Sequence, residues 1–335
     1  MSRNIQLSKS LSLPLDIAGE AVGILATRGA GKSFCSAVLI EELYQSGIQF
    51  CVLDPTGVYH GLRTAANGKD PGIPVFIIGG PHGDVPLEDT AGHLIADLLV
   101  DTGQSMILDL SDFPTKKSQA KFVTDFAEKL YRRKARSRST IHLVIDEADE
   151  FAPQKPLAYE TMMLHHIEVL VRRGRSRGIG MTLITQRSAT LNKNVLDLID
   201  TLIAMRVGSP RDRAAITSWI TVKGEDDKID VNGSLPGMPT GAAWVWSPVR
   251  GILEYVPIRR INTFDSYATP KPGQARKEPK SKADIDINLL GEQIKATAAR
   301  AKESDPAELR KRIRELEKEL RGKSVPAPAE IKTVE

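Results

Sequence analysis

Ala26-Thr27-Arg28-Gly29-Ala30-Gly31-Lys32-Ser33 is the stretch that decides how this chain is read. It follows a short apolar run, Val22 to Ala26, and precedes Lys32 to Gln45, whose apolar residues recur with the helical period. A strand, a glycine-rich turn and a helix opening on Lys-Ser make a phosphate cradle. The N–H groups of the turn wrap the phosphate oxygens, and the positive end of the helix points at them. Gly29 and Gly31 let the backbone come that close. The expected ATP contacts are Thr27, Arg28, Gly29, Ala30, Gly31, Lys32, Ser33 and Phe34; Lys32 reaches the β- and γ-phosphates and the Ser33 hydroxyl binds Mg2+. Ala26 stands where the full motif has glycine, which loosens the bare pattern. A glycine-rich turn without ligand is the bland alternative, and Gly-Lys-Ser between a strand and a helix argues against it.

Working outward, short β-branched apolar runs alternate with longer amphipathic stretches from Ala21 to about Arg206, the order that gives a parallel sheet covered by helices. Strands are expected at Val22 to Ala26, Gln49 to Asp54, Pro74 to Ile78, Ser105 to Leu110, Ile141 to Asp146, Gly180 to Thr185 and Thr201 to Arg206. Helices are expected at Lys32 to Gln45, Leu87 to Leu99, Lys117 to Arg133, Tyr159 to Arg173 and Pro210 to Trp219, with Gly47 stopping the first. WVWSP and ILEYVPI then read as an antiparallel hairpin at a sheet edge. The expected fold class is α/β, with a mainly parallel sheet flanked by helices, a C-terminal antiparallel hairpin and a helical tail; with the phosphate loop it resembles a RecA-like P-loop NTPase.

Two further strand ends carry chemistry. IHLVIDEADEF is an apolar strand ending in Asp146 and Glu147, at the edge where α/β sheets hold ligands. Asp146 in that place holds Mg2+, usually through water, and Glu147 polarises the water that attacks the γ-phosphate. An acidic helix start, favoured by the helix dipole, is the alternative, and the phosphate loop weighs against it. The strand Met181 to Ile184 ends in Thr185-Gln186-Arg187, from which Gln186 can reach the γ-phosphate or its water.

VRRGRSRGIGMTLITQRSATLNKNVLDLIDTLIAMRVGSPRD, together with DPTGVYHGL and LVIDEADEFAP, resembles the HerA/FtsK superfamily over roughly Leu15 to Asp265, and the HerA central domain best. The resemblance implies a ring-forming, ATP-driven motor on double-stranded DNA, a homo-oligomer expected to be a hexamer, with a nuclease or other effector protein as partner. It also implies an arginine that reaches the ATP of the next subunit, Arg175 by motif position and Arg173 second. A conjugation- or packaging-type ATPase is a related reading; a nucleotide-dependent scaffold or switch for a partner protein is one of another class. The family commonly has an acidic residue where Val58 stands, so a role at that position does not carry over. The β-barrel that precedes the ATPase in archaeal members is not expected, since fewer than about 20 residues precede the first strand.

Composition sets the outer limits. Hydrophobic residues make up 41% and charged residues 26% of 335, the balance of a globular protein, and the net charge of +4 is too small to indicate nucleic acid by itself. No apolar run approaches the ~20 residues that span a bilayer. Two cysteines make no disulfide framework, so the cytoplasm is the expected compartment. The expected organisation is an extension (1–14), an ATPase domain (15–265), a Pro/Lys-rich linker (266–304), a helix (305–322) and a tail (323–335). Leu309, Ile313, Leu316 and Leu320 suit either a solvated helix or a self-association segment. The basic run Arg132, Arg133, Lys134, Arg136 and Arg138, with Lys116 and Lys117, suits either phosphate contact or a solvated loop. Without interleaved aromatics, DNA contact is expected to be to phosphates and independent of sequence.

Overall fold

Apolar residues on both faces of successive strands put those strands in the middle of a sheet covered on two sides. The computed structural model describes residues 4–137, 139–223 and 230–267, with scattered positions between 279 and 316. The chain divides into units Met1–Ile287 and Asn288–Glu335, and the described backbone of the second is helical at 288–289, 291–294, 296 and 314–316. Most of the expected linker, tail helix and tail lies outside the described residues.

A small antiparallel hairpin, β1 (Asn4–Gln6) and β2 (Ser12–Pro14), opens the chain. Next come β3 (Ala21–Leu25), α1 (Lys32–Gln45), β4 (Gln49–Asp54), β5 (Phe76–Ile78) and α2 (Gly92–Thr102). After these run β6 (Met106–Asp109), α3 (Lys116–Lys134), β7 (Ile141–Ile145), α4 (Ala148–Phe151) and α5 (Thr161–Arg173). The unit continues through β8 (Ile179–Thr185), α6 (Lys193–Asp197), β9 (Thr201–Ala204), α7 (Pro210–Val222), α8 (Val231–Ser234), β10 (Ala242–Ser247) and β11 (Ile252–Pro257).

The main sheet runs β11-β10-β9-β3-β8-β7-β4-β6-β5. Seven strands, β9 through β5, are parallel, and β10 and β11 close one end antiparallel, as the hairpin pattern indicates. β3, β7 and β8 are buried along their whole length. From the β3/β8 pair the chain leaves in opposite directions, β3 through α1 to β4 and β8 through α6 to β9, so the ligand crevice of an open α/β sheet falls at their carboxyl ends. The core on one face joins Val38 and Leu39 of α1 to Val22, Ile24, Val52, Val144 and Ile184, with Ile5, Leu7 and Leu13 of the N-terminal hairpin packed in as well.

α1 starts and stops where the sequence indicates. Gly31 at φ 106° is its N-cap, and Gly47 at φ 73° follows its C-cap Ser46. α2 starts later than expected, at Gly92 instead of Leu87, and continues to Thr102, where Gly103 at φ 65° supplies a left-handed C-cap. Residues 88–91 instead form a turn closed by Ala91 N–H donating to the Glu88 carbonyl. β5 begins at Phe76, past Pro74, which has no N–H for a ladder. His142 is buried in β7, with its ring nitrogens 2.9 Å from the Ala18 carbonyl and 2.7 Å from the Thr182 hydroxyl; burial pushes its pKa down to about 4. No helix among the described residues is long and apolar enough to cross a membrane.

Beyond β11 the chain returns as a strap over α1. Its anchor is Glu41, a buried carboxylate on α1. Glu41 Oε2 accepts from Arg259 at 2.7 Å, and Oε1 accepts from Asn262 N–H at 2.7 Å and from the Thr263 N–H and hydroxyl, each at 2.8 Å. Removing one side of a buried, hydrogen-bonded charge leaves the other uncompensated. Glu41→Ala is therefore expected to lower unfolding free energy in urea titration by about 3–5 kcal/mol. A loss below about 1 kcal/mol, the range of an exposed pair, would show that the strap is held elsewhere.

Candidate nucleotide site

The carboxyl ends of β3, β7 and β8 meet because those strands are neighbours, and the side chains there contact one another directly. Lys32 Nζ lies 2.7 Å from Glu147 Oε1 and 3.1 Å from Asp146 Oδ1. Gln186 Nε2 donates to the same Glu147 Oε1 at 2.7 Å. Thus Lys32, Asp146, Glu147 and Gln186, which span 155 residue numbers, form one cluster. All four line a pocket of about 440 Å³ with Arg28, Gly29, Gly31, Ser33 and Phe34. Thr27 and Ala30 belong to the loop's frame: Thr27 N–H donates to the Arg206 carbonyl at 2.8 Å, and the Ala30 carbonyl accepts from Gly241 N–H at 3.0 Å. Gly31 needs to be glycine both for its positive φ and because a Cβ there would stand 3.3 Å from the Gly241 backbone.

Electrostatics explains the arrangement. Burial works against the Lys32 ammonium, but Asp146 and Glu147 more than offset it and hold its pKa above the ordinary lysine value. Burial raises the Glu147 carboxyl above the usual range, and the Lys32 charge offsets that only in part. Glu147 also sits at φ 46°, the one non-glycine residue with positive φ among the described residues. A left-handed side-chain-bearing residue costs ~1–2 kcal/mol, and such strain is found where surrounding contacts fix a functional side chain. The contacts include Asp149, whose carboxylate accepts from the Thr185 hydroxyl at 2.6 Å and the Thr190 hydroxyl at 2.9 Å, joining the β7 and β8 ends. Asp146 Oδ2 accepts no hydrogen bond from the described residues, while Oδ1 takes Lys32 and the Glu147 N–H. An oxygen left over on a buried carboxylate, beside the pocket-lining Ser33, suits a hard divalent cation.

Several residues of the site were not singled out from sequence. Asp54 is outside the lining but holds the turn that carries Thr56 and Val58: it ends β4 and accepts from Thr56 and Gly57 N–H through Oδ1 and from Tyr59 N–H through Oδ2, at 2.8 to 3.0 Å. Burial pushes its pKa up to about 7. Its position at a strand end was the available signal. Thr56, Val58, Thr240, Asp265 and Tyr267 complete the lining. Val58, where the family commonly carries an acid, thus presents an apolar side chain to this pocket. Thr240, Asp265 and Tyr267 come from segments with no motif, and no local pattern announces them.

Arg175 is not part of this cluster. It lies at the opposite end of β8, in the 3-10 turn Arg175–Arg177, with its guanidinium 3.3 Å from the buried Glu20 carboxylate. Glu20 is also held by Arg250 through two contacts of 2.8 and 2.9 Å. Arg173 is exposed and makes no ion pair among the described residues. The basic run on α3 is largely paired within the chain. Arg132 meets Glu128 at 2.7 Å, Arg133 meets Asp97 at 3.0 Å and also Asp101, and Lys134 is buried against Ser139. Lys116 pairs with Glu150. Lys117 and Arg136 remain exposed, and Arg138 lies outside the described residues.

The family model described as "Helicase HerA, central domain" matches residues 6–79, the stretch holding β3, the phosphate loop, α1 and Asp54. The DNA double-strand break repair helicase HerA of Pyrococcus furiosus is 28% identical over 103 residues, 31% of this chain and 17% of that protein. The protein of the same name from Sulfurisphaera tokodaii is 22% identical over 208 residues, 60% of this chain and 40% of that protein. Over these stretches the chain resembles P-loop proteins of the HerA/FtsK type. Matches span less than half the length of these relatives. Among solved structures, the bacterial conjugative coupling protein TrwB, residues after a 70-residue truncation, superposes with a TM-score of 0.56 at 9% identity, over 79% of this chain and 90% of that one. That likeness concerns the fold, a P-loop NTPase with a mainly parallel sheet, and agrees with the α/β expectation.

Lys32 stands against two adjacent carboxylates, so its removal is expected to have a stability signature. Lys32→Ala leaves Asp146 and Glu147 side by side in a buried place, with an expected loss of about 3 kcal/mol near neutral pH. Without the ammonium, which holds the Glu147 pKa down, the Glu147 carboxyl binds a proton more readily, and its protonation removes the repulsion from Asp146, so the loss relative to wild type shrinks as pH falls. Thermal unfolding of both proteins at several pH values checks this. A loss that is constant with pH would mean that Lys32 does not neutralise the pair.

Proposed function

We propose that the chain hydrolyses ATP and uses it to move along double-stranded DNA as a ring of identical subunits, expected to be six, in the service of a nuclease or other effector protein. The observation that carries this reading is the convergence of Lys32, Asp146, Glu147 and Gln186 on one loop-lined pocket. The names of the HerA relatives, and the match of the HerA central-domain model to the first strands, support the DNA side of the reading.

The chemistry follows from the contacts. With polyphosphate bound, its charge replaces the carboxylates as the partner of Lys32, and Lys32 turns from Glu147 toward the β- and γ-oxygens. Glu147 then keeps Gln186 as a neutral donor and has a carboxylate oxygen available to accept a proton from water. Gln186, held to Glu147, orients that water. Ser33 and Asp146 are the residues that would hold Mg2+, which neutralises phosphate charge when bound. Arg175, supplied by a neighbouring copy, would add positive charge at the γ-phosphate; in the single chain Glu20 holds it. Exposed Lys117 and Arg136 are available for phosphate-backbone contact.

Glu147→Gln is expected to reduce steady-state ATP turnover by about 10²- to 10⁴-fold, the usual contribution of a general base, with ATP binding retained. DNA-stimulated phosphate release, with affinity falling steeply as salt rises, checks the motor reading. Unchanged function of the Glu147→Gln protein would instead identify a nucleotide-stabilised scaffold. The acid limb of the pH–rate profile is expected above the ordinary glutamate value of 4.5, because burial raises the Glu147 carboxyl and its charged form is the active one. A limb at or below that value would assign the base to another group.

A further inference from the structure

The ladder between β7 and β8 ends at the pair Ile145 and Leu183. The two segments meet again further on, where Gln154 N–H donates to the Thr190 carbonyl at 2.7 Å and Asn192 N–H to the Ala152 carbonyl at 2.8 Å. Glu147 and Gln186 lie between these two backbone ties, and there the link is made by the side chain of Asp149. Its Oδ1 accepts from the buried Thr185 hydroxyl at 2.6 Å, and its Oδ2 accepts from the Thr190 hydroxyl at 2.9 Å. Thr190 shares its proton with the Arg187 carbonyl at 2.8 Å, so Thr185 is the stronger of the two ties. The Thr185 oxygen also accepts from Arg187 N–H at 2.9 Å, which fixes the residues on both sides of Gln186. A closed circuit results: Glu147 leads along the chain to Asp149, Asp149 holds Thr185, Thr185 precedes Gln186, and Gln186 returns to Glu147 at 2.7 Å.

Asp149 is not among the residues that line the pocket, so its effect on a ligand there is indirect. What it acts on is the turn that carries Glu147. That turn holds a side-chain-bearing residue at φ 46°, a conformation that relaxes unless contacts around it prevent it. Hydrogen bonds to an ionised carboxylate are among the stronger ones available, and Asp149 makes them two residues from the strained position. We propose that Asp149 is a positioning residue for ATP hydrolysis: by holding Thr185 and Thr190 it keeps the Glu147 carboxylate and the Gln186 amide together, so that both face one water. This rests on the hydrolytic reading above and deepens it, because Glu147 is the base in that reading. The backbone ties on either side keep the two segments joined without Asp149. Its loss therefore changes the aim of Glu147 and leaves the fold and the phosphate loop in place.

Asp149→Ala removes both bonds and tests the proposal on the full chain, through kcat and KM for ATP with Mg2+ and through affinity for a slowly hydrolysed ATP analogue. The expected result is a kcat lower by about 10- to 100-fold, the scale of a catalytic group misplaced by an ångström, with analogue affinity changed less than about twofold. In a Glu147→Gln background, followed by release of labelled phosphate, the same substitution is expected to change turnover less than about twofold, since no base remains to be aimed. Thr185→Val is expected to lower kcat as Asp149→Ala does, and Thr185→Ser, which keeps the hydroxyl, to return it to within about threefold of wild type. That second pair decides the matter if Asp149→Ala does not fold. An unchanged kcat, an equal fall in kcat and analogue affinity, or the full loss repeated in the Glu147→Gln background would each overturn the proposal, the last because Asp149 would then act without Glu147. Wild-type protein that binds the analogue but does not hydrolyse ATP would overturn the hydrolytic reading itself; wild-type turnover with unaffected variants would overturn only the role of Asp149.

Discussion

The ammonium of Lys32, held between the carboxylates of Asp146 and Glu147, is the contact on which the rest of the site depends. Two adjacent acids at a buried strand end are unfavourable unless a cation stands beside them. That cation comes from a loop after β3, and the acids come after β7, so the sheet must bring those two strands within reach. β8, inserted between them, does so and adds Gln186 at the same edge. One ammonium offsets the two carboxylates only in part, and an anion that drew Lys32 away would have to compete with both of them. In the proposed mechanism that exchange would also free the Glu147 carboxylate to act on water.

Local patterns revealed this much of the site. The phosphate loop, α1, and the β7 and β8 ends each carry their signal within about ten consecutive residues, and each falls within a residue or two of where the pattern puts it. What was not legible depends on partners far away in the chain. The N-terminal hairpin has strands of only three residues, too short for a period to show, and is held by packing on α1. The strap has no regular structure, and its order comes from Glu41, more than 200 positions earlier. Asp265 and Tyr267 reach the pocket only because of it. The start of α2 was misjudged for a different reason: Leu87 and the acids after it fit a helical period, but the chain spends them on a turn before Gly92.

Charge shows the same limit from another side. The run from Arg132 to Arg138 reads as a basic patch in the sequence, yet folding gives Arg132, Arg133 and Lys134 partners on α2, α3 and the following loop. Charges paired within the fold attract phosphate backbones weakly, so a count of basic residues overstates what is offered to DNA. Arg175 is a related case. Its motif position suggests a role at a nucleotide, while within one chain it serves Glu20 at the far edge of the sheet. The two are compatible only if the nucleotide belongs to another copy, as the proposed ring of subunits would have it.

α1 ties these parts into one device. Its first residues, Lys32 and Ser33, face the pocket, and Ser36 one turn on touches Tyr59. Glu41 further along carries the strap that brings Tyr267 back to the same pocket. A helix with intact backbone hydrogen bonds moves as a unit, so displacement at its phosphate end is also felt at its strap anchor. The pocket is thus bounded on one side by the residues that begin the ATPase fold and on the other by those that end its described part. Any ligand filling it makes contact with both, and the shortest mechanical link between them is a single helix of 14 residues.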